Sequence, residues 1–179
     1  MMARYQAGDF AAATALIDRV SPQLQRFFLA KVGSRADADD LLQDTWLRIH
    51  RVRHTYRPGE PVLPWFYAIA RRVRIDHYRR ASRTTGRERR LEDMSSVAAT
   101  PLREEGEGDD LETLLAPLSE SQREVIRMMK VAGMSLEEVA RATSCSVGSV
   151  KQKVHRAYKN LREKMSAMGL EKGPSGGLP

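Results

Sequence analysis

Apolar residues recur at three- and four-residue steps along nearly the whole chain, and no alternating apolar–polar run bounded by turn residues interrupts them. The pattern predicts an all-α protein. Around residues 9 to 20, Phe10, Ala13, Ile17 and Val20 share one face, and Ser21-Pro22 then offers a cap and a first-turn proline for a second helix through Leu24, Phe27 and Phe28, ending near Gly33. A third helix, about 35 to 53, sets Ala38, Leu41, Leu42, Thr45, Ile49 and Val52 inward, leaving Asp37, Asp40, Asp44, Arg48 and Arg51 outside. Pro58, Gly59, Pro61 and Pro64 stiffen the loop that follows, and a fourth helix runs from near Pro64 to about Ser82.

Between Thr84 and Asp109 serines, glycines, Pro101 and charged residues replace the periodicity, which predicts a flexible acidic linker. The expected organisation is therefore two small helical domains, 1–83 and 110–168, joined by the linker 84–109 and followed by a disordered tail, 169–179. In the second domain Ser119 with Gln122, and Ser135 with Glu138, fit the reciprocal capping pattern, so each pair opens a helix; Gly133 closes the first of these.

Composition changes the picture in one respect. The 179 residues are 41% hydrophobic, enough for packed cores, yet 30 Lys and Arg face 23 Asp and Glu, a net charge of +7. A polyanionic partner follows, nucleic acid ahead of an anionic membrane. The charge is also uneven: 71–90 holds nine arginines against Asp76 and Glu88, whereas 103–112 holds six acids against Arg103. No long apolar run or signal-peptide plan occurs, so a cytoplasmic location is expected. Cys145, the single cysteine, reads as a packed thiol without disulfide or zinc chemistry.

The strongest local signal lies in 135–164: a capped helix to about Thr143, the turn Ser144-Cys145-Ser146, and a longer basic helix, which is helix-turn-helix spacing. On the second helix Val147, Val150, Val154, Ala157 and Leu161 form one stripe, and Gly148, Ser149, Gln152, His155, Arg156 and Lys159 lie opposite, where a major groove could receive them. In LPWFYAIARRVRIDHYRRASR, 63–83, Phe66, Ile69, Ala70 and Val73 make the inward stripe. Tyr67, Arg71, Arg74 and Tyr78 flank it on one side and Arg72 and Arg79 on the other, an interleaving suited to single-stranded DNA or to a plain solvated helix. Asp39-Asp40-Leu-Leu-Gln-Asp44 superficially resembles a magnesium site of prenyl-transferring enzymes, but no second acidic helix answers it. His50 and His54 lack a third zinc ligand. No phosphate loop or nucleophile elbow is present; the residues suggest neither an enzyme nor a cofactor.

Taken in order, ADADDLLQDTWLRIHR, PWFYAIARRVRIDHYRR, LSESQREVIRMMKVAGMSLEEVA and VGSVKQKVHRAYKNLR resemble the motifs of extracytoplasmic-function sigma factors over about residues 5 to 166. The resemblance implies that 1–83 is sigma domain two and 110–168 sigma domain four. Asp40, Gln43, Asp44 and Arg48 then match the surface that grips core RNA polymerase. Tyr56 in the loop 56–65, Trp65, Tyr67, Arg71, Arg72, Arg74 and Tyr78 match the minus-ten contacts, and Gly148, Ser149, Lys151, Gln152, His155, Arg156 and Lys159 match the minus-thirty-five reader. The pattern departs at Arg72, where members often carry asparagine, so it implies no particular minus-ten sequence. The linker could extend to about 90 Å, enough for elements roughly 17 base pairs, or about 60 Å, apart, and its acidity suits a polymerase channel meant for RNA. Implied partners are core RNA polymerase, promoter DNA and an anti-sigma factor, often membrane-bound; the free protein is expected to be monomeric, with no small-molecule substrate. The alternative left by the residues is a plain helix-turn-helix regulator.

Overall fold

The computed structural model describes residues 1–32, 34–84 and 108–167, and among them every regular element is helical. In chain order these are α1 (Met2–Gln6), α2 (Phe10–Leu29), α3 (Arg35–Val52), a short 3-10 turn (Arg53–Thr55), α4 (Val62–Thr84), α5 (Gly108–Leu115), α6 (Glu120–Lys130), α7 (Leu136–Thr143) and α8 (Val147–Ala167). The expectations placed on Gly33, on 85–107 of the linker, on residue 168 and on the tail 169–179 lie outside the described residues.

The predicted pair of helices up to residue 29 is one helix. Asp9 caps α2 by accepting from the Ala12 N–H at 3.0 Å, and the helix runs through Pro22. Ser21 lies inside this helix, and its hydroxyl accepts the Trp46 indole N–H at 2.9 Å. A twenty-residue helix must keep one inward stripe, and Leu24, Phe27 and Phe28 extend back in four-residue steps to Val20, Leu16 and Ala12, all buried. That register turns the expected inward residues Phe10 and Ile17 outward, Phe10 to 89% exposure.

α3 begins at Ser34, whose hydroxyl accepts from the Asp37 N–H at 3.0 Å, and buries Ala38, Leu41, Thr45 and Ile49 against α2 and α4. Thr45 is tolerated in this core because it donates to the Leu41 carbonyl at 2.7 Å. Pro64 sits at the third position of α4, where an N–H would lack an intrahelical acceptor anyway. Phe66, Ile69, Ala70 and Val73 are buried, and Phe66 meets the rings of Trp46 and Trp65 at 5.6 and 5.5 Å.

Both expected capping boxes are present at Ser119 and Ser135. Glu138 accepts from the Ser135 N–H at 2.8 Å while Ser135 Oγ accepts from the Glu138 N–H at 3.2 Å. Gly133 lies just past α6 with φ +67°, and α7 ends at Ser144, which takes the left-handed conformation with φ 54° and turns the chain into α8. Leu115, Leu118, Ile126, Ala157 and Leu161 make a small core of their own. The larger core, from Phe28 and Phe66 through to Val125, Met128, Val139 and Val150, crosses between the two halves of the chain, and α4 lies along α7.

The continuity of α2 is testable. Pro22 is exposed and lacks the N–H that an unbroken helix would bond, so Pro22→Ala should raise stability by about 1–2 kcal/mol in urea denaturation. A proline opening a separate helix would instead give no gain on replacement.

Candidate nucleic-acid interface

Val150, Ala157 and Leu161 fix the rotation of α8 by burying one stripe, with Val147 and Val154 partly covered. Gly148, Lys151, Gln152, His155, Arg156 and Lys159 are thereby exposed together, and Ser149 is half-buried with its N–H bonded to Ser146 Oγ at 3.2 Å. A Cβ at Gly148 would meet only Ser146 Oγ, at 3.9 Å, so nothing within the chain requires a glycine there. Lys159 pairs loosely with Glu163 at 3.8 Å, and the Lys151 ammonium helps hold the Glu137 carboxyl below its usual range. Cys145, in the turn before this helix, is half-buried, and its Sγ lies 3.6 Å from the Lys153 ammonium.

The loop before α4 is held from two sides. Gln6 of α1, which the sequence pattern did not reveal because five residues are too few to show a period, donates to the carbonyls of Arg53 and Tyr56 at 2.7 and 2.8 Å. Tyr56 is buried, its ring edge-on to Trp65 at 5.7 Å and its hydroxyl donating to the Glu60 carbonyl, while Gly59 makes the bend with φ +90°. On α4 itself Arg72 is exposed and Tyr78 half-buried. Tyr67 is a correction: its ring is buried edge-on against Phe27 at 5.4 Å, and burial pushes its hydroxyl up to about 12, so it is a core residue here and has no face free to stack on a base.

Arg71 and Arg74 are also engaged. Arg71 grips Glu124 of α6 with two nitrogens, Nε to Oε1 at 3.0 Å and Nη2 to Oε2 at 3.3 Å, and its third nitrogen donates to the Thr143 carbonyl at 3.1 Å. Arg74 approaches the same carboxylate at 3.8 Å. Burial alone would raise the Glu124 carboxyl, but Lys31, Arg71 and Arg74 more than offset it and hold it below the usual range. Lys31, just past α2, is buried against Glu120; burial pushes its ammonium down to about 7, with Glu124 pulling the other way. At the rim of the same contact Arg141 of α7 pairs with Glu60.

On α3, Asp40, Gln43 and Asp44 are exposed on one side. Arg48 is tied to Asp76 of α4 at 2.8 Å. Leu47, 51% exposed, joins this face between Gln43 and Arg51; its signal in the sequence is a leucine off the inward stripe. Among the described residues no group of three or more His, Cys, Asp or Glu comes together to hold a metal, His50 is engaged by the Tyr5 hydroxyl at 3.0 Å, and no helix is long and apolar enough to cross a membrane.

Comparison with known proteins follows the same division. The family model of sigma-70 region 2 matches residues 16–84 and that of sigma-70 region 4 matches residues 108–161. The chain is 32% identical to the ECF RNA polymerase sigma factor SigF of Caulobacter vibrioides, over 92% of each chain. It is 31% identical to the RNA polymerase sigma factor CarQ of Myxococcus xanthus, over 95% of this chain and 98% of that one. Among solved structures the sigma factor RpoE of Bartonella quintana, in complex with the anti-sigma factor NepR, superposes with a TM-score of 0.67 at 26% identity, covering 87% of this chain and 97% of that chain. With two sigma-70 regions on an all-helical frame and relatives matched along nearly their whole length, the chain belongs to the extracytoplasmic-function family of RNA polymerase sigma factors, non-enzymatic factors of transcription initiation.

Proposed function

We propose a division of labour for this sigma factor in which residues 1–83 grip core RNA polymerase and the opened minus-ten strand, residues 110–168 read the minus-thirty-five duplex, and 84–109 join them. The observation that carries the reading is the α8 face, where Gln152 and Arg156 stand exposed one turn apart on a helix whose opposite side is locked in the core. Such side chains pair bidentately with base edges in a major groove. Gly148, Ser149, Lys151, His155 and Lys159 complete that surface.

For the minus-ten strand, Tyr56 and Trp65 brace the loop that receives an extruded base, and Arg71, Arg72, Arg74 and Tyr78 follow the strand along α4. Unstacking a base costs a few kcal/mol, which pocket contacts and phosphate pairing offset. For polymerase, Asp40, Gln43, Asp44 and Leu47 form the outward face of α3, with Arg48 at its edge. An anti-sigma protein is a further proposed partner: the Bartonella RpoE was solved in complex with NepR, and its fold covers most of this chain.

Run-off transcription with purified core polymerase on a genomic promoter pool tests the reading directly; discrete transcripts should depend on this chain. Tight, sequence-specific duplex binding by the free protein, with no effect on polymerase, would favour a plain regulator instead. Asp44→Arg combined with Gln43→Ala should weaken binding to core polymerase while stability stays within about 0.5 kcal/mol, because both residues are exposed. Unaltered affinity in a pull-down titration removes the α3 assignment.

Base reading and phosphate holding on α8 should separate under mutation. Gln152→Ala and Arg156→Ala should each cost about 1–3 kcal/mol at a preferred site and relax selection at one position. Lys159→Ala, nearer the helix end, should weaken all promoters alike and lower the salt slope by about one. Selection from a randomised minus-thirty-five library that is identical for wild type and both reader variants would show that this face is not the reader.

A further inference from the structure

α1 is five residues long, too short to stay helical by itself, and it persists because Met2 and Tyr5 are buried against the rest of the first half. Its last residue is Gln6, whose side chain crosses to the loop before α4. Nε2 donates to the carbonyls of Arg53 at 2.7 Å and Tyr56 at 2.8 Å, 47 and 50 positions away in the chain. Two carbonyls facing one side-chain amide fix its orientation, because only the NH2 end can donate. α1 itself is seated by the Tyr5 hydroxyl, 3.0 Å from His50 Nδ1 of α3, and by the Arg53 guanidinium, 5.9 Å above the Tyr5 ring.

The loop that Gln6 grips is also shaped from within. Arg57-Pro58-Gly59-Glu60 is a tight turn closed by the Glu60 N–H on the Arg57 carbonyl at 3.2 Å. Pro58 sits where such a turn favours proline, and Gly59 takes the φ of +90° that would strain any side chain at the next position. The Tyr56 hydroxyl donates across the turn to the Glu60 carbonyl, and its ring stands edge-on to Trp65 of α4. These local bonds give the turn its shape but do not place it on the domain. Among the described residues, the hydrogen bonds that reach its main chain from a distant part of the sequence are those two from Gln6. The tip, from Arg57 to Pro61, is exposed.

We propose that Gln6 is a positioning residue for the minus-ten element: its amide clamps the main chain at Arg53 and Tyr56, so that the turn is already in place when a base is extruded. The proposal rests on the assignment of the loop 56–65 to that base. Contacts in a pocket offset unstacking in full only where the pocket is preformed; a loop that must first be ordered loses part of that gain. Because both acceptors are carbonyls, the clamp is indifferent to the side chains of the loop. It governs how firmly a base is held and not which base is chosen.

The test uses holoenzyme, this full chain with core polymerase, and a bubble template built from the strongest promoter found by run-off, with bases of the minus-ten strand made abasic one at a time. In the wild type one abasic position should weaken binding more than its neighbours, which marks the captured base. Gln6→Met, close in size but without a donor, and Gln6→Glu, which turns a carboxylate on the same carbonyls, should each weaken binding of the intact bubble. The expected loss is about tenfold, the order for two main-chain hydrogen bonds. Binding of the bubble that is abasic at the marked position should not change. Gln6→Lys, which keeps donors on a flexible stem, should restore most of the affinity. Should Gln6→Glu fail to fold by circular dichroism, Gln6→Met, which adds no charge, still decides; loss of the fold in both would make Gln6 a structural residue and overturn the proposal. An equal loss on intact and abasic templates, or no loss on either, overturns it too. A wild-type holoenzyme indifferent to abasic substitution throughout the element would instead overturn the assignment of this loop to an extruded base.

Discussion

A carboxylate this deeply buried persists only where cations surround it, and Glu124 has Arg71, Arg74 and Lys31 around it. Arg71 and Arg74 come from α4 and Lys31 from the turn after α2, so the position of one oxygen pair fixes how α6 lies against α4 and the end of α2. The apolar contact between α4 and α7 supplies area, but apolar surfaces slide and tolerate alternative registers. The ion cluster does not, because moving Glu124 by one helical step would leave charges buried and unpaired, a penalty of about 3–5 kcal/mol. The docked arrangement is therefore specified by charge and stabilised by area.

Within each half the logic differs. α2, α3 and α4 are held by aromatic and aliphatic residues from three directions, with Phe66 between two indoles and Phe27 against Phe28 and Tyr67. The second half has less to bury, and its precision comes from helix ends: two reciprocal caps, and a left-handed serine at the turn. Ser144 accepts a conformation that ordinary side chains avoid, and that one residue sets the angle at which α8 leaves α7.

Much of this was legible in the sequence, and the reasons for the rest are specific. The all-helical class, the bounds of α3 and the helix–turn–helix follow from periodicity and caps, which are local properties. Pro22 misled because proline favours a first turn, while the stripe through Leu24 and Phe28 was strong enough to carry the helix across it. Tyr67 misled because a tyrosine among arginines looks solvent-facing, whereas its ring fills the gap beside Phe27. Glu124 and Lys31 gave no signal: both sit in patterns that read as ordinary amphipathic surface, and their partners are distant in sequence. Of the candidate surfaces, the α8 face could be read because rotation about a helix is fixed by its own apolar stripe; the occupation of Arg71 and Arg74 could not, because it depends on a contact between halves.

The Arg48–Asp76 pair, backed by the core beneath it, joins α3, proposed here to face the polymerase, to α4, proposed to face the opened strand. With α3 seated on the enzyme as proposed, α4 would have no freedom to slide along the DNA on its own. On those assignments, the offset from the melted bases to the catalytic centre would be a constant of the protein rather than of each promoter. Start-site position would be metered by a rigid caliper at one end, while variation in spacer length is absorbed entirely at the other.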